Sequence, residues 1–305
     1  MLHCARAVLY AGLLAASPAV FADTATPAAP ATASASASKL KAIEAMMSRN
    51  EVDEAIEAAE AWTEAEPGSA DAWYMLGRTS GNKATRVNMF SAAGLAGDSR
   101  EAYEKAIEID PAHVKARFDL IQFYMMAPGF MGGGEDKAAE MAAALEKIDA
   151  TWGHLGRAFM AARGKDHAAA ARHYEAVLAT DPAHPQALNP MIALLIGGER
   201  LDDARDVAAR ALAHDPDNAI GHYQMGRYSA VTGKDLDTGL AHMERFLALP
   251  EKPAAMSAAA AHWRRGQILE KLGRKDDAIA AFSQAVAMDE DLEEAADDLE
   301  RLKKA

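Results

Sequence analysis

Cysteine is almost missing from this chain of 305 residues: Cys4 is the single one. Once the N-terminal segment that contains it is removed, as argued below, no disulfide, thiolate metal site or cysteine nucleophile can form. Aromatic residues make up only 6% of the chain, although 50% of it is apolar. Nearly half of the apolar residues are alanine, a strong helix former, and few are the β-branched residues typical of strands. The composition therefore argues against a β-sandwich or a parallel α/β sheet.

Basic residues and long apolar runs are also few. The chain has 32 Lys and Arg against 45 Asp and Glu, a formal net charge of −13. Nucleic-acid binding requires clustered Lys and Arg, so we expect no nucleic-acid partner. Beyond the N-terminal segment no stretch approaches the roughly 18 continuous apolar residues that a membrane-spanning helix needs. We therefore expect no membrane insertion of the mature chain.

The segment 1–22 has the features of a secretory signal peptide. Arg6 is the sole Lys, Arg, Asp or Glu before position 23, and a short apolar run follows over residues 7–16. Small residues at Val20 and Ala22 suit a signal-peptidase site. We predict cleavage after Ala22 and a periplasmic or secreted protein. Residues 23–38 consist almost wholly of Ala, Ser, Thr and Pro, which predicts a disordered linker.

Motifs that carry catalysis do not occur in the sequence. It contains no H-E-x-x-H, no G-x-S-x-G and no phosphate-binding P-loop. The histidines are scattered, and His167 and His173, six positions apart, would face different sides of a helix. We therefore expect no catalytic residue, no metal and no cofactor, and we predict that the protein is not an enzyme.

A repeat of about 34 residues organises the rest of the chain. Pro182, Pro216 and Pro250 follow one another at equal spacing, and each ends an Ala/Leu-rich segment of helical length. Pro67 and Pro111 end similar segments. The step between those two is longer than one repeat, and the step from Pro111 to Pro182 is slightly longer than two repeats. Because proline cannot continue a helix, it suits a helix end, and this period predicts a solenoid of helix pairs.

Several segments also match a known repeat motif in phase with that period. The motif has the spacing W-x2-L-G on a first helix, then Ala, an aromatic residue and Ala on a second helix, and then Pro. The first half is matched at Trp73, Leu76 and Gly77, at Trp152, Leu155 and Gly156, and more weakly at His222, Met225 and Gly226. The second half is matched at Ser99, Tyr103, Ala106 and Pro111, at Ala170, Tyr174, Val177 and Pro182, and at Ala278, Phe282 and Ala285.

From residue 39 to residue 305 the sequence thus resembles the tetratricopeptide repeat (TPR) family. The resemblance implies an all-α superhelical solenoid of about seven helix pairs with a C-terminal capping helix. The predicted repeats are 39–67, 70–111, 114–149, 152–182, 185–216, 219–250 and 254–290, with the cap at 291–305. The acidic start and the basic end of the cap suit the helix dipole.

Two segments depart from the repeat. The second repeat contains about ten extra residues around "SGNKATRVNMFSAAGLAGD". The third contains "APGFMGGGEDKA", where a compact turn would suffice. Backbone N–H groups in such a loop could hold an anion, although Glu135 and Asp136 would repel it. Alternatively, the glycines only turn the chain and seat the loop against a neighbouring helix. The loop residues singled out are Pro128, Gly129, Gly132, Gly133 and Gly134.

Arginines recur near one repeat position. In TPR proteins the ninth position of the first helix usually faces the concave groove, and alignment places Arg78, Arg157 and Arg227 there, with Arg265 close to it in the last repeat. Arginine binds carboxylates through two parallel hydrogen bonds, so this stripe predicts a surface for an acidic peptide or a chain terminus. The alternative is internal pairing with Glu and Asp of adjacent helices.

Aromatic residues near the same faces are candidate anchors for a partner. The alternative is that half of them belong to the core between helices. They are Tyr74, Phe118, Tyr223 and Trp263.

The sequence thus favours a non-catalytic, exported scaffold that binds a protein or peptide in its concave groove, for envelope assembly, secretion or transport. The second hypothesis is a small-anion-binding, solute-binding or enzyme-accessory component that uses the Gly-rich loop and the arginines. The sequence does not indicate the oligomeric state.

Overall fold

The computed structural model describes residues 31–250, 252–253 and 256–304. Within these residues the chain forms fifteen α-helices and one short 3₁₀ turn at Gly129–Met131, and no strand. The helices are α1 (Ala31–Ser48), α2 (Val52–Ala65), α3 (Ala70–Ala84), α4 (Met89–Ile109), α5 (Val114–Met126), α6 (Glu135–Ile148), α7 (Ala150–Arg163), α8 (His167–Leu178), α9 (Pro185–Gly197), α10 (Leu201–His214), α11 (Ala219–Thr232), α12 (Leu236–Ala248), α13 (Ala258–Lys271), α14 (Lys275–Met288) and α15 (Glu293–Lys304).

The helices form seven consecutive pairs, from α1/α2 to α13/α14, and α15 follows as a fifteenth helix. Each helix packs against the next one in the chain, and several first helices also contact the first helix of the following pair, as α1 does with α3 and α3 with α5. First helices therefore form one layer of the solenoid and second helices the other. The predicted all-α solenoid with a capping helix is confirmed.

The structure describes only part of the N-terminal segment, from residue 31 onward. The signal peptide at 1–22 lies outside the described residues, as do positions 23–30 of the predicted linker. Residues 31–38 differ from that prediction, because they form the first turns of α1. Alanine at alternate positions supplies enough helix propensity to extend α1 backwards from its buried residue Ile43, which lies in the core.

Glycine allows the two helices of a pair to approach closely. A Cβ atom placed on Gly77 would lie 2.6 Å from the ring of Tyr103, and one on Gly226 would lie 2.5 Å from Cγ of Met243. In each case the neighbour belongs to the second helix of the same pair. The glycine of the W-x2-L-G motif is therefore a packing residue in these repeats.

Two hydrophobic clusters fill the solenoid. One runs from Ile43 to Leu145 and the other from Leu155 to Leu302. Phe118 and Trp152 pack against both clusters and contact each other edge to face, with ring centroids 5.4 Å apart. This aromatic pair therefore joins the N-terminal and C-terminal parts of the core.

Candidate partner-binding groove

The layer of first helices has a concave surface, which we call the groove. One stretch of it is a cavity of about 290 Å³ to which five successive first helices, α1, α3, α5, α7 and α9, contribute side chains. Stacked repeats place equivalent positions side by side, so one surface collects residues from many repeats. The lining residues are Glu44, Tyr74, Arg78, Lys115, Phe118, Asp119, Gln122, Trp152 and Gln186.

Three of the residues predicted from the sequence, Tyr74, Arg78 and Phe118, meet in this stretch. Their environments differ. Tyr74 is only 5% exposed, and its ring stacks at an angle on His113, with ring centroids 4.9 Å apart. Phe118 is partly buried against Trp152. Tyr74 therefore belongs mainly to the core, whereas Phe118 offers part of its ring to the groove.

Arg78 is held by its neighbours. One of its terminal nitrogens donates to Oε1 of Glu44 at 3.0 Å, and the guanidinium lies 5.7 Å from the centre of the Tyr74 ring. Burial opposes the charge of Arg78, but Tyr74, Asp119 and Glu44 together raise its pKa above the ordinary value. The charge of Arg78 is therefore compensated inside the protein. We call Glu44, Tyr74, Arg78 and Asp119 the N-terminal arginine cluster.

Asp119 is the least stabilised charged group in that cluster. Burial raises the pKa of Asp119 to about 6, although Arg78 and two hydrogen-bond donors act in the opposite direction. Its Oδ1 accepts from Gln122 Nε2 at 3.1 Å, and its Oδ2 accepts from the Tyr103 hydroxyl at 3.5 Å. The carboxylate is therefore only partly stabilised by the groups around it.

Tyr223, Arg227 and Arg264 form the equivalent C-terminal arginine cluster. Tyr223 and Arg227 hold the places on α11 that Tyr74 and Arg78 hold on α3, three positions before and one position after the motif glycine. Arg264 follows the aromatic residue Trp263 on α13, as Asp119 follows Phe118 on α5. An arginine thus stands where the N-terminal cluster has its aspartate.

That exchange leaves two positive charges together. Burial lowers the pKa of Arg264, and the nearby charge of Arg227 lowers it further. Tyr223 and, to a smaller extent, Glu294 act in the opposite direction. No carboxylate among the described residues lies within ion-pair distance of Arg227 or Arg264. The two positive charges of the C-terminal cluster therefore form no ion pair with a described carboxylate, and the charge of Glu294 compensates them only weakly.

The remaining contacts of Arg264 are to neutral groups. Its guanidinium lies over the Trp263 ring, 3.9 Å from the ring centre, and one terminal nitrogen donates to Gln267 Oε1 at 2.9 Å. Its Nε is buried without a hydrogen-bond partner among the described residues. Arg264 is thus oriented by stacking and still has a free donor.

Two further predicted residues have partners elsewhere. Arg265 lies 3.7 Å from Oε1 of Glu244 on α12. The indole nitrogen of Trp263 donates to Oδ2 of Asp298 on the capping helix at 2.8 Å. Arg265 is therefore paired inside the protein, which is the alternative that the sequence left open. Trp263 also binds the capping helix.

Arg157 does not lie beside Arg78 and Arg227, contrary to the alignment of the arginines. It donates to Oε2 of Glu146 on α6 at 2.5 Å and lines a small crevice with Ala142 and His173. Glu146 and His173 are on second helices, so Arg157 faces away from the groove. The prediction that it occupies the same repeat position as the other two is wrong.

The physical reason is a shift of two positions in the fourth repeat. A Cβ atom on Gly156 would meet Ile121 of the preceding pair, whereas the motif glycines Gly77 and Gly226 face their own second helix. Contacts between histidines show the true register: Nδ1 of His154 lies 3.1 Å from Nδ1 of His173, as Nδ1 of His222 lies 2.9 Å from Nδ1 of His242. His154 therefore stands two whole repeats before His222, at the equivalent position.

Trp152, which the motif match predicts to be the first residue of W-x2-L-G in the fourth repeat, is a groove residue. In the corrected register it stands two positions before the motif tryptophan site, and its ring lies in the groove with Phe118 and Gln186. The sequence contains a signal for the corrected register. Gly226 precedes Pro250 by the same number of residues as Ala158, and not Gly156, precedes Pro182. Ala158 is fully buried.

The Gly-rich loop of the third repeat is closed on itself. The N–H groups of Met131 and Gly133 donate to the Pro128 carbonyl, and that of Gly132 donates to Gly129. The Gly134 N–H reaches back to the carbonyl of Tyr124 at 2.9 Å. Because these donors are used within the loop, they are not available to an anion.

Glycine is required at two positions of this loop. Gly132 has φ +95°, and a Cβ atom on Gly133 would lie 1.8 Å from the Ala127 carbonyl oxygen. Gly132 also packs against the side chain of Arg100 on α4. The interpretation in which the glycines turn the chain and seat the loop on a neighbour agrees with this geometry.

The described residues include neither a cluster of metal ligands nor a membrane-spanning helix. In the described part of the chain, no three His, Cys, Asp or Glu side chains come together as metal ligands. Among the same residues no helix has both the length and the apolarity to cross a membrane.

The fold and the groove define the class of the protein. Three tetratricopeptide repeat models match, at residues 40–79, 161–227 and 259–292. The chain is a tetratricopeptide repeat protein, one of a class of generally non-catalytic scaffolds that mediate protein or peptide interactions.

Solved structures show the same fold at low identity. A chain of the APC/C hetero-tetramer Cut9–Hcn1 is 14% identical with a TM-score of 0.53, and the match covers 85% of this chain but only 48% of that one. PilF of Pseudomonas aeruginosa is 12% identical with a TM-score of 0.51, covering 77% of this chain and 96% of that one. No curated protein sequence matches the chain.

Proposed function

We propose that this protein is a non-catalytic, exported TPR scaffold whose groove binds an extended segment of a partner protein for envelope assembly, secretion or transport. The C-terminal arginine cluster carries this proposal. Two partly buried guanidinium groups, Arg227 and Arg264, lie near enough for their charges to interact unfavourably, and neither forms an ion pair with a described carboxylate. A carboxylate from a partner would supply the missing charge, so the segment bound there is acidic.

The aromatic pair of the groove supports an extended ligand rather than a single small ion. Phe118 and Trp152 are both partly exposed and lie on α5 and α7, two pairs or more before Arg227 on α11. A partner that reaches both sites must run along several repeats. We expect apolar side chains on the aromatic pair and an acidic side chain or chain terminus on the arginines.

Export rests on the sequence of residues 1–22. The expected mature N-terminus is Asp23. Mass spectrometry of the protein recovered from an envelope fraction tests this; an intact Met1 on that protein would contradict export by cleavage.

Capture and measurement of a partner test the binding proposal. Residues 23–305 are used to capture proteins from an envelope extract, and segments of a captured protein are then titrated by calorimetry. A desolvated Arg–carboxylate pair contributes about 2–5 kcal/mol on truncation. Arg227→Ala is therefore expected to weaken binding by about 30-fold or more, since about 1.4 kcal/mol corresponds to a factor of ten.

Arg172 provides a matched control. It is an exposed arginine on α8, a second helix outside the groove. Arg172→Ala is expected to leave the affinity within about twofold of the original. Equal losses in Arg172→Ala and Arg227→Ala would show that net charge, and not the groove, governs binding.

A small carboxylate is the second candidate ligand, because the same two arginines could bind it alone. Tight binding of one small carboxylate, unchanged by replacement of Phe118 or Trp152, would favour a solute-binding component over a scaffold. The Gly-rich loop would take no part in that site, since its N–H groups are used within the loop.

A further inference from the structure

Two pairs of histidines link the two helices of the fourth and of the sixth repeat. His154 on α7 meets His173 on α8, and His222 on α11 meets His242 on α12. The two Nδ1 atoms are 3.1 Å apart in the first pair and 2.9 Å apart in the second. The ring centroids are farther apart, at 5.3 and 5.1 Å, so the rings meet edge to edge through these nitrogens and do not stack. We call them the histidine pairs.

A backbone carbonyl fixes the hydrogen positions of the second pair. Nε2 of His222 lies 3.0 Å from the carbonyl oxygen of Pro216, which can only accept, so Nε2 carries the hydrogen. In a neutral ring Nδ1 of His222 is then unprotonated, and His242 donates to it from its own Nδ1–H. His222 is only 7% exposed, so water offers this ring few other partners.

Each histidine pair accommodates one extra proton but not two. With one extra proton, a cationic ring donates to the unprotonated nitrogen of its neighbour, and the contact becomes a charge-assisted hydrogen bond. With two, both Nδ1 atoms carry hydrogen and no acceptor remains between the rings. Two positive charges then face each other across 3.1 or 2.9 Å. The contact has to open.

The charged groups around the first pair oppose a second proton. Burial is the largest cause that lowers the pKa of His173, and the charge of His154 adds to it. Arg157 on α7 and Arg172 on α8 act in the same direction. Glu146 on α6 opposes them, but its carboxylate also forms an ion pair with Arg157.

The second pair has a similar electrostatic environment. Burial and then the charge of His222 lower the pKa of His242. Asp217, which follows the carbonyl that binds His222, and Arg245, one turn after His242, form an ion pair with each other. The nearest carboxylate in the chain is therefore already paired.

We propose that the two histidine pairs are acid-sensitive contacts, in which entry of a second proton separates α7 from α8 and α11 from α12. The first helix of each repeat also carries a groove residue, Trp152 on α7 and Tyr223 on α11. Acid would therefore change the groove in the C-terminal half of the solenoid. This device does not depend on the proposed function.

Stability is expected to follow the same protons. The pKa values of His173 and His242 are lowered in the folded state, whereas an unfolded chain has the ordinary histidine value of about 6.5. The unfolded state therefore binds more protons as the pH falls below about 6.5. The stability that the pairs contribute is present above that pH and is lost as the pH falls.

Long-range ¹H–¹⁵N NMR of the histidine rings tests the proton positions in residues 23–305 without any variant. At pH 7.5 we expect the hydrogen of His222 on Nε2 and that of His242 on Nδ1. His167, exposed at the start of α8, is the reference ring. We expect each pair to take up its second proton at least about one pH unit below the pH at which His167 takes up its proton.

Hydrogen exchange measures whether the helices separate. Between pH 7 and pH 5 we expect amide protection in α8 and α12, corrected for the intrinsic rate, to fall at least about tenfold more than in α4, because one unit of pKa corresponds to a factor of ten. His173→Gln and His242→Gln each keep a donor and take up no proton, so each should remove the fall in its own repeat only. His167→Gln is the matched control and should leave both falls unchanged.

Three results would overturn the proposal. An equal loss of protection in α4, α8 and α12 would show general unfolding in acid. Uptake of both protons by a pair at the same pH as His167 would show that the rings do not restrict each other, and this readout needs no variant to fold. A fall in α8 that persists in His173→Gln would show that another group responds to acid.

Discussion

The N-terminal and C-terminal arginine clusters use the same backbone positions but differ in how their charges are paired. Arg78 is neutralised by Glu44 and Asp119, whereas Arg227 faces Arg264, which has no ion-pair partner among the described residues. The first arrangement resembles a structural ion pair, and the second retains a charge that a ligand can satisfy. We therefore propose that the side chain opposite such an arginine, on the next first helix, determines whether it is available to bind a ligand.

The largest expected effect comes from converting the C-terminal cluster into the N-terminal one. Arg264→Asp would give Arg227 an internal carboxylate, as Asp119 does for Arg78. We expect the affinity for an acidic partner segment to fall by about 30-fold or more, because a groove cation is lost and an anion is introduced. Calorimetric titration of the captured segment measures this loss.

Arg172→Asp makes the same change of charge at an exposed position on α8. If it weakens binding as much as Arg264→Asp does, the effect is long-range repulsion and the comparison of the clusters fails.

Single truncations of the two arginines should differ in their effect on folding. Arg78→Ala leaves Glu44 and Asp119 without their cation, so we expect the free energy of unfolding to fall by about 1–3 kcal/mol. Arg227→Ala removes a repulsion with Arg264 and is expected to change it by about 0.5 kcal/mol or less. Urea unfolding of the unliganded variants gives both numbers. An equal loss in the two variants would mean that Arg227 is also an internal partner.

The pH dependence of stability should distinguish Asp119 of the N-terminal cluster from a carboxylate whose pKa is lowered by its partners. The folded-state pKa of Asp119 is about 6, above its unfolded value, so the folded state binds more protons between about pH 4 and pH 6. The contribution of Asp119 is therefore favourable below about pH 4 and is lost as the pH rises through about 6. Asp119→Asn should gain stability relative to the original protein by about 1–2 kcal/mol between about pH 4 and pH 7.

Urea titrations at several pH values test this prediction. Asp298→Asn on α15 is a useful contrast, because the pKa of Asp298 is lowered: burial raises it, but Arg301, Trp263 and Gln267 together outweigh burial. Its variant should lose stability relative to the original as the pH rises. The same trend in both variants would contradict the assignment for Asp119.

The smallest effect is expected at Arg157. Its pair with Glu146 is 40% exposed on both sides, and such pairs contribute under about 1 kcal/mol. Arg157→Ala should therefore unfold at nearly the same urea concentration and bind a groove partner unchanged. A strong loss of binding would indicate that Arg157 faces the groove and would contradict the shifted register of the fourth repeat.

Much of the fold followed from the sequence because its signals are local and repeated. The equal spacing of Pro182, Pro216 and Pro250 and the helix-forming composition predict the solenoid without any knowledge of long-range contacts. The predicted register of the fourth repeat is wrong because Trp152 and Gly156 match the motif two positions before the true motif sites. The distance from Pro182 was the better guide, because a proline at a helix end marks a boundary that the backbone enforces.

The site was less accessible, since it depends on which side chains meet across repeats. Nothing local indicates that Arg78 is compensated and Arg227 is not: the difference lies at Asp119 and Arg264, each on the first helix of the following pair. Likewise, the insertion near Ala92 and the Gly-rich loop were each recognisable as departures, but their meeting around one cavity requires the stacking of α4 against α5.

The most direct test of the account follows the Nε–H signals of the arginines by NMR while N-acetyl-glutamate, a small dicarboxylate, is added to residues 23–305. It needs no knowledge of the natural partner. We expect the signals of Arg227 and Arg264 to shift in a saturable way and the signal of Arg78 not to shift. A saturable shift at Arg78 with none at Arg227 or Arg264 would contradict it.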